Sequence, residues 1–135
     1  YRDAFAKAFR DAGLPEALAD LPHVESSFQV QARSSAGAVG IWQFTRSTGR
    51  HYLEISSTVD ARWDPIDATR AAARLLRHNY DELHSWPLAI TAYNHGVGGI
   101  RRAVRATGSN DIAVLINRYR GPQCALFDSI GYHRR

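Results

Sequence analysis

Leu14, Leu18, Leu21, Glu25 and Phe28 follow one another at steps of 4, 3, 4 and 3. That is the repeat of one helical face turned toward a core. Four of the five are apolar and the fifth is a carboxylic acid. A carboxyl group in an apolar stripe loses hydration, and burial raises its pKa. Glu25 is therefore the residue that most restricts what the chain can be. Two readings are open from spacing alone. Glu25 buries only its stem and turns its head to an arginine, or it is a functional acid.

The rest of the chain reads as helices. Phe5, Ala8, Phe9 and Ala12 give a first helix over residues 3–12, ended by Gly13. Pro15 suits the first turn of a second helix carrying the stripe through Phe28, and Pro22 is expected to kink or break it. Residues 29–39 are small and polar, a loop, followed by the aromatic turn Gly40-Ile41-Trp42-Gln43-Phe44. Thr45 or Ser47 can cap a short helix through Tyr52, and residues 53–63 lack periodicity. Asp64-Pro65 is a start signal for the longest helix, to about His84. Its inward stripe is Ile66, Thr69, Ala73, Leu76, Tyr80 and Leu83, and the hydroxyl of Thr69 can bond a carbonyl one turn back. Ala71-Ala72-Ala73 implies close helix packing. Trp86-Pro87 breaks the pattern. An apolar helix is expected over Leu88–Asn94, a glycine-rich turn over His95–Gly99, a basic helix over Ile100–Ala106 and a last helix over Asp111–Tyr119. Strand signals are nearly absent. The expected fold is all-α, a compact bundle of about six to eight short helices around one long central helix, in a single domain over 1–135.

Composition narrows the function classes only a little. Seventeen Lys and Arg against thirteen Asp and Glu leave a formal charge of +4, which suits an anionic partner such as nucleic acid, a membrane surface or an acidic wall polymer. There is no long basic run, so a solvated positive surface is the plainer reading. A lone cysteine, Cys124, gives no disulfide framework and has no local histidine partner. No apolar run approaches the ~20 residues of a membrane span. No signal-peptide pattern is present, and a chain beginning at Tyr1 without methionine reads as an excised domain.

Most other chemistry lacks its residues. The six histidines (His23, His51, His78, His84, His95, His133) never fall at metal-ligand spacing. Gly96-Val97-Gly98-Gly99 follows a helix and has no Lys-Ser/Thr after it, so it is not a phosphate loop. No metal and no cofactor are expected. Arg101, Arg102 and Arg105 read as a solvated face, with the capacity to attract an acidic peptide or glycan. No second carboxylate is placed convincingly beside Glu25. Asp60, Asp64 and Asp67 flank the start of the long helix, where caps and the helix dipole account for them.

Three segments stand in order: Glu25-Ser26-Ser27-Phe28, Gly37-Ala38-Val39-Gly40-Ile41-Trp42-Gln43-Phe44 and Ala92-Tyr93-Asn94-His95-Gly96. Together they resemble the lytic transglycosylase domain of the goose-lysozyme-like superfamily, and within it the membrane-bound lytic murein transglycosylase D group. Asp60-Ala61-Arg62-Trp63-Asp64-Pro65 resembles the segment before that family's long helix. The likeness covers roughly residues 13–107. It implies a lysozyme-like helical fold and a peptidoglycan lytic transglycosylase that cleaves between N-acetylmuramic acid and N-acetylglucosamine and leaves a 1,6-anhydromuramoyl end.

In that reading Glu25 is the single acid/base. A free glutamate, with a pKa of about 4.3, is mostly ionised at neutral pH, and an apolar setting lifts it, as toward about 6 in lysozyme, a different protein. Ser26 orients the substrate, with a helix-end cap as the alternative. Gln43 bonds the sugar, with a plain surface glutamine as the alternative. Gly40 lets sugar or backbone approach closely. Trp42 and Phe44 either stack on sugar or pack in the core. By resemblance, Tyr93 holds the Glu25 carboxyl, and Asn94 caps its helix or lines the site. His95 replaces a residue that is usually small in the family, where a ring narrows the groove or titrates near neutral pH. The tail over 123–135 departs from the family pattern. The implied partner is the glycan strand of peptidoglycan, not nucleic acid, with action in the periplasm or cell envelope. The implied state is a monomer, with any anchor or wall-binding repeats outside this chain. A hydrolytic goose-type lysozyme and a non-catalytic wall-binding module are the alternatives.

Overall fold

A computed structural model describes residues 1–119, so the expectations for the tail, and Cys124 and His133, lie outside the described residues. The described residues are mostly helical, with seven α-helices and two 3₁₀ turns. In place of strands there are three isolated bridges, Arg33 to Val39, Val39 to Phe44 and Ile55 to Asp60. The all-α expectation holds. The chain divides into two compact units, residues 1–75 and the part from Leu76 onward.

In the first unit, α1 (Arg2–Asp11) buries Phe5 and Phe9 on one face. A 3₁₀ turn over Glu16–Asp20 follows, then the five-residue α2 (Pro22–Ser26), with Pro22 in its first turn. Of the kink or break expected at Pro22, the structure has the break, because a proline ring has no N–H to give the preceding turn. Leu14 and Leu18 are buried, whereas Leu21, Glu25 and Phe28 are half-buried. Phe28 lies beyond the helix. Ser27 and Phe28 both adopt left-handed backbone, at φ 53° and 57°, and the N–H groups of both converge on the Pro22 carbonyl.

The core of this unit gathers around Trp42, which is fully buried. Its ring stacks on Phe9 at 5.6 Å between centroids. Its indole N–H donates to the Thr69 hydroxyl at 2.7 Å, and that hydroxyl in turn donates to the Pro65 carbonyl at 2.6 Å. The back-bond expected of Thr69 therefore exists, and it orients the oxygen that receives Trp42. Short α3 (Arg46–Gly49) is capped by Thr45, and the second 3₁₀ turn covers Ala61–Trp63. The Asp64 carboxylate accepts from the N–H groups of Ile66 and Asp67, both at 2.9 Å, which opens α4 (Pro65–Leu83) at the expected cap. Ala71, Ala72 and Ala73 are all buried.

In the second unit, Leu83, Leu88, Ala92, Ile100, Ala103, Leu115, Ile116 and Tyr119 form one apolar cluster. They come from the end of α4, from α5 (Trp86–His95), from α6 (Val97–Thr107) and from the segment of α7 (Ile112–Arg118) with Tyr119 after it. Ser85 caps α5 and Asp111 caps α7. Asn79 is buried and donates to the Ala89 carbonyl at 3.1 Å. The glycine-rich turn expected over His95–Gly99 shrinks to Gly96 alone, at φ 80° and ψ 143°. Gly98 and Gly99 are helical, and Gly99 is buried. Packing of α6 outweighs the roughly 1 kcal/mol that each glycine costs a helix.

Candidate active site

Glu25 lies on α2, near its C-terminal end, and its N–H donates to the Leu21 carbonyl at 3.1 Å. The next residue, Ser26, donates its hydroxyl to the Ile41 carbonyl at 2.8 Å, with a longer 3.4 Å contact to the Pro22 carbonyl of its own helix. A side chain adjacent to Glu25 is thus bonded directly to the aromatic turn. The left-handed pair Ser27-Phe28 stops the helix immediately afterwards. Such backbone is costly for non-glycine residues, more so for a bulky one, and persists only when the surroundings fix it.

The aromatic turn is itself held from inside. Gly40 donates to the Ala32 carbonyl at 2.9 Å, Val39 donates to the Phe44 carbonyl at 3.0 Å and Gln43 donates to the Gly40 carbonyl at 3.1 Å. The side-chain amide of Gln43 donates to the carbonyls of Gly40 at 2.8 Å and Ala32 at 3.2 Å. Two carbonyl acceptors fix which end of that amide is nitrogen. Gln43 itself is left-handed, at φ 53°.

A buried arginine closes the frame. Arg62 is 5% exposed. It grips Asp60 with two parallel bonds, Nε to Oδ1 at 2.9 Å and Nη2 to Oδ2 at 2.6 Å. Its Nη1 donates to the carbonyls of Gly37 at 3.3 Å and Phe44 at 3.2 Å, the two ends of the turn. The Arg62 carbonyl fills the place where a Cβ on Gly40 would stand. The guanidinium beside Asp60 holds that carboxyl below its ordinary range, outweighing the opposing effect of burial. Arg33 adds a cation–π contact 5.4 Å from the centre of the Trp63 ring.

The third motif stands at the end of α5 in the second unit. Tyr93 is half-buried, Asn94 is exposed and His95 is half-buried. Burial pushes the His95 imidazole below its ordinary pKa. The Gly96 N–H donates to the Ala92 carbonyl at 2.8 Å and ends the helix. Among the described residues, no three His, Cys, Asp or Glu side chains gather as a metal site.

Residues 4–116 match the family described as the transglycosylase SLT domain. The chain belongs to that family. Membrane-bound lytic murein transglycosylase D of Escherichia coli is 42% identical over 94 residues, which is 68% of this chain and 21% of that protein. An Alteromonas protein named for tributyltin chloride resistance is 38% identical over 93 residues, 67% of this chain and 45% of the relative. Membrane-bound lytic murein transglycosylase F of Alcanivorax borkumensis is 33% identical over 112 residues, 76% of this chain and 23% of the relative. The SLT domain therefore spans between about a fifth and a half of the length of these relatives.

Within this SLT domain, the first unit gathers Glu25, Ser26, Gly40 and Gln43 on α2 and the turn bonded to it. Several roles open in the sequence take definite form. Ser26 bonds the turn rather than only capping its own helix. Gly40 admits the backbone of Arg62. Trp42 and Phe44 are buried and pack in the core. Asn94 is a residue of α5, whose cap is Gly96. Sequence reasoning assigned Arg62 no role: it stands only within the Asp60–Pro65 segment of the resemblance, and Asp60 is read as a cap or helix-dipole partner, although an acid and a base two residues apart at an aperiodic stretch are a signal for the pair.

Proposed function

We propose that this SLT domain is the catalytic domain of a peptidoglycan lytic transglycosylase, with Glu25 as its single acid/base. The observation that carries the reading is the seating of Glu25. It is half-buried on a five-residue helix whose end is fixed by the left-handed pair Ser27-Phe28 and bonded through Ser26 to the turn that holds Gln43. A carboxyl group so held keeps its position while a glycan strand is drawn past it, which is what proton delivery to one bridging oxygen requires.

In this mechanism the protonated Glu25 carboxyl gives its proton to the glycosidic oxygen. The C1–O bond breaks with its electrons going to that oxygen, and C1 of the muramoyl residue gains oxocarbenium character. The carboxylate left behind takes the proton of the 6-hydroxyl on the same sugar, and O6 bonds to C1. The products are a free 4-hydroxyl and a 1,6-anhydro ring. Water is not consumed, so one carboxylate suffices. The other acids of the first unit support this assignment because most have other work. Asp60 is gripped by Arg62, Asp64 caps α4, and Asp11, Glu16 and Asp20 pair with Lys7, Arg10 and Arg2. The names of the D and F relatives support murein as substrate and the cell envelope as the place of action. The part taken by Tyr93 and Asn94 rests on the third motif alone.

The test is digestion of purified sacculi with wild type and Glu25→Gln, read by mass spectrometry of the released muropeptides. Wild type is expected to release 1,6-anhydro products, and the variant to lose at least ~100-fold in rate with an unchanged far-UV spectrum. Reducing-end products point instead to a hydrolytic lysozyme. Binding to sacculi without cleavage by wild type points to a wall-binding module.

A further inference from the structure

A cleft lies in the second unit, outside the three motifs. It has a volume of about 370 Å³ and is lined by Glu82, Leu83 and His84 at the end of α4, by Arg101, Val104 and Arg105 on α6, and by Asn110. That volume lies within the range of small-ligand clefts. Leu83 is buried and Val104 half-buried, which gives an apolar floor. Arg101, Val104 and Arg105 stand at i, i+3 and i+4 and so share one face of α6. The Arg101 guanidinium is held at one rim by Glu82, at 3.2 Å. Arg105 is exposed and makes no ion pair among the described residues. His84, exposed and left-handed at φ 54°, ends the helix there.

We infer that this cleft binds a short acidic peptide that carries aliphatic side chains, in the manner of the acidic stems of the wall polymer; the assignment to stems rests on the proposed function. The charge pattern selects that occupant. Arg105 with its five N–H donors suits a carboxylate fork. The Leu83–Val104 floor takes an aliphatic side chain, which a polyphosphate does not offer. Glu82 at the rim repels a dense polyanion and accepts an ammonium, so a peptide with both carboxylates and an amine fits better than nucleic acid or an anionic lipid surface. Arg102, on the same helix, is exposed and does not line the cleft.

The test uses the full chain as Glu25→Gln, so that binding is read without cleavage. The probe is the synthetic peptide acetyl-Ala-Glu-Lys-Ala with a free C-terminus, followed by calorimetry. Arg105→Ala is expected to weaken binding at least tenfold, Arg101→Ala severalfold, and Arg102→Ala less than twofold. The peptide with both carboxylates amidated is expected not to bind. Equal loss in Arg102→Ala, binding of the amidated peptide, stronger binding of duplex DNA or of anionic vesicles, or no peptide binding at all each overturn the inference. On the active wild-type background, Arg105→Ala is expected to slow cleavage of intact sacculi severalfold and to leave cleavage of amidase-stripped glycan strands unchanged. Failure of wild type to cleave either substrate breaks the proposed function and leaves the calorimetric outcome standing by itself.

Discussion

Between Ala32 and Phe44 the chain has no helix, and its backbone is fixed by polar groups turned inward: the Gln43 amide, the Arg62 guanidinium and a series of turn hydrogen bonds. From Trp86 to Thr107 the chain is two helices joined at Gly96, fixed by apolar packing of Leu88, Ala92, Ile100 and Ala103. Both regions carry candidate site residues. An irregular turn has unpaired backbone groups that must be met one by one. A helix meets its own and needs only one apolar face. The turn should therefore fail at single specific atoms, while the helical hairpin should tolerate change and lose stability in small steps.

Two glycines with nearly the same φ put this contrast most sharply. Gly40 has φ +79° and Gly96 has φ +80°. A Cβ on Gly40 would overlap the Arg62 carbonyl oxygen, whereas nothing lies within 4 Å of one on Gly96. Gly96→Ala is expected to cost about 1–3 kcal/mol, the strain of a positive φ with an extended ψ, a conformation essentially confined to glycine. Gly40→Ala adds a clash with main chain that cannot swing aside, for a total of about 4 kcal/mol or more. Urea unfolding of the two variants checks this. Equal losses would mean that the turn can move away from Arg62 and that the contrast is wrong.

The next largest effect is expected at Arg62. Arg62→Met leaves the Asp60 carboxylate without its partner and removes the guanidinium donor from the Gly37 and Phe44 carbonyls, the second of which keeps its bond from the Val39 N–H. Breaking a buried pair costs about 3–5 kcal/mol, but the Asp60 side chain keeps 22% of its exposure, so about 2–3 kcal/mol is the fair expectation after solvent screening. The counterpart in the second unit is the buried Asn79, with its bond to Ala89, and Asn79→Ala is expected to cost about 1–2 kcal/mol. Arg62→Lys separates charge from geometry. A lysine keeps the charge but cannot span Asp60 and both ends of the turn, so it should recover under half of the loss in the same urea measurement.

The two regions also differ in how far the sequence disclosed them. The helical hairpin is legible because the apolar run Leu88–Asn94 and the basic run Ile100–Ala106 are local signals. Its largest error, the start of α6, came from reading Gly98 and Gly99 as punctuation when burial of one helix face outweighs their propensity; α5 also runs from Trp86 to His95, past both expected ends. The break at Pro22 was legible, but the left-handed Ser27-Phe28 pair was not, since neither residue favours that backbone and only surrounding contacts hold it. Glu25, Ser26 and Gln43 stood out through motif and spacing. Arg62 did not, because apart from Asp60 its partners are main-chain carbonyls of residues 18 and 25 positions away, and a carbonyl has no signature in a sequence.

Acid titration separates the regions by pH, with the smallest effects. The Asp60 carboxyl has a lowered pKa in the fold, caused first by its bonds to Arg62. Its stabilising contribution is therefore complete above the ordinary value of 3.8 and is lost as pH falls through the folded value. The His95 imidazole is also lowered, but by burial. A base that folding keeps neutral binds fewer protons folded than unfolded, so its contribution is complete above the ordinary 6.5 and declines as pH falls from there toward the folded value. Stability against pH should show a shallow step beginning near 6.5 and a second below 3.8. His95→Gln is expected to remove the first step and spare the second, and Arg62→Met to shrink the second and spare the first. A single step that both variants alter alike would show that the turn and the end of α5 do not respond to acid as separate regions.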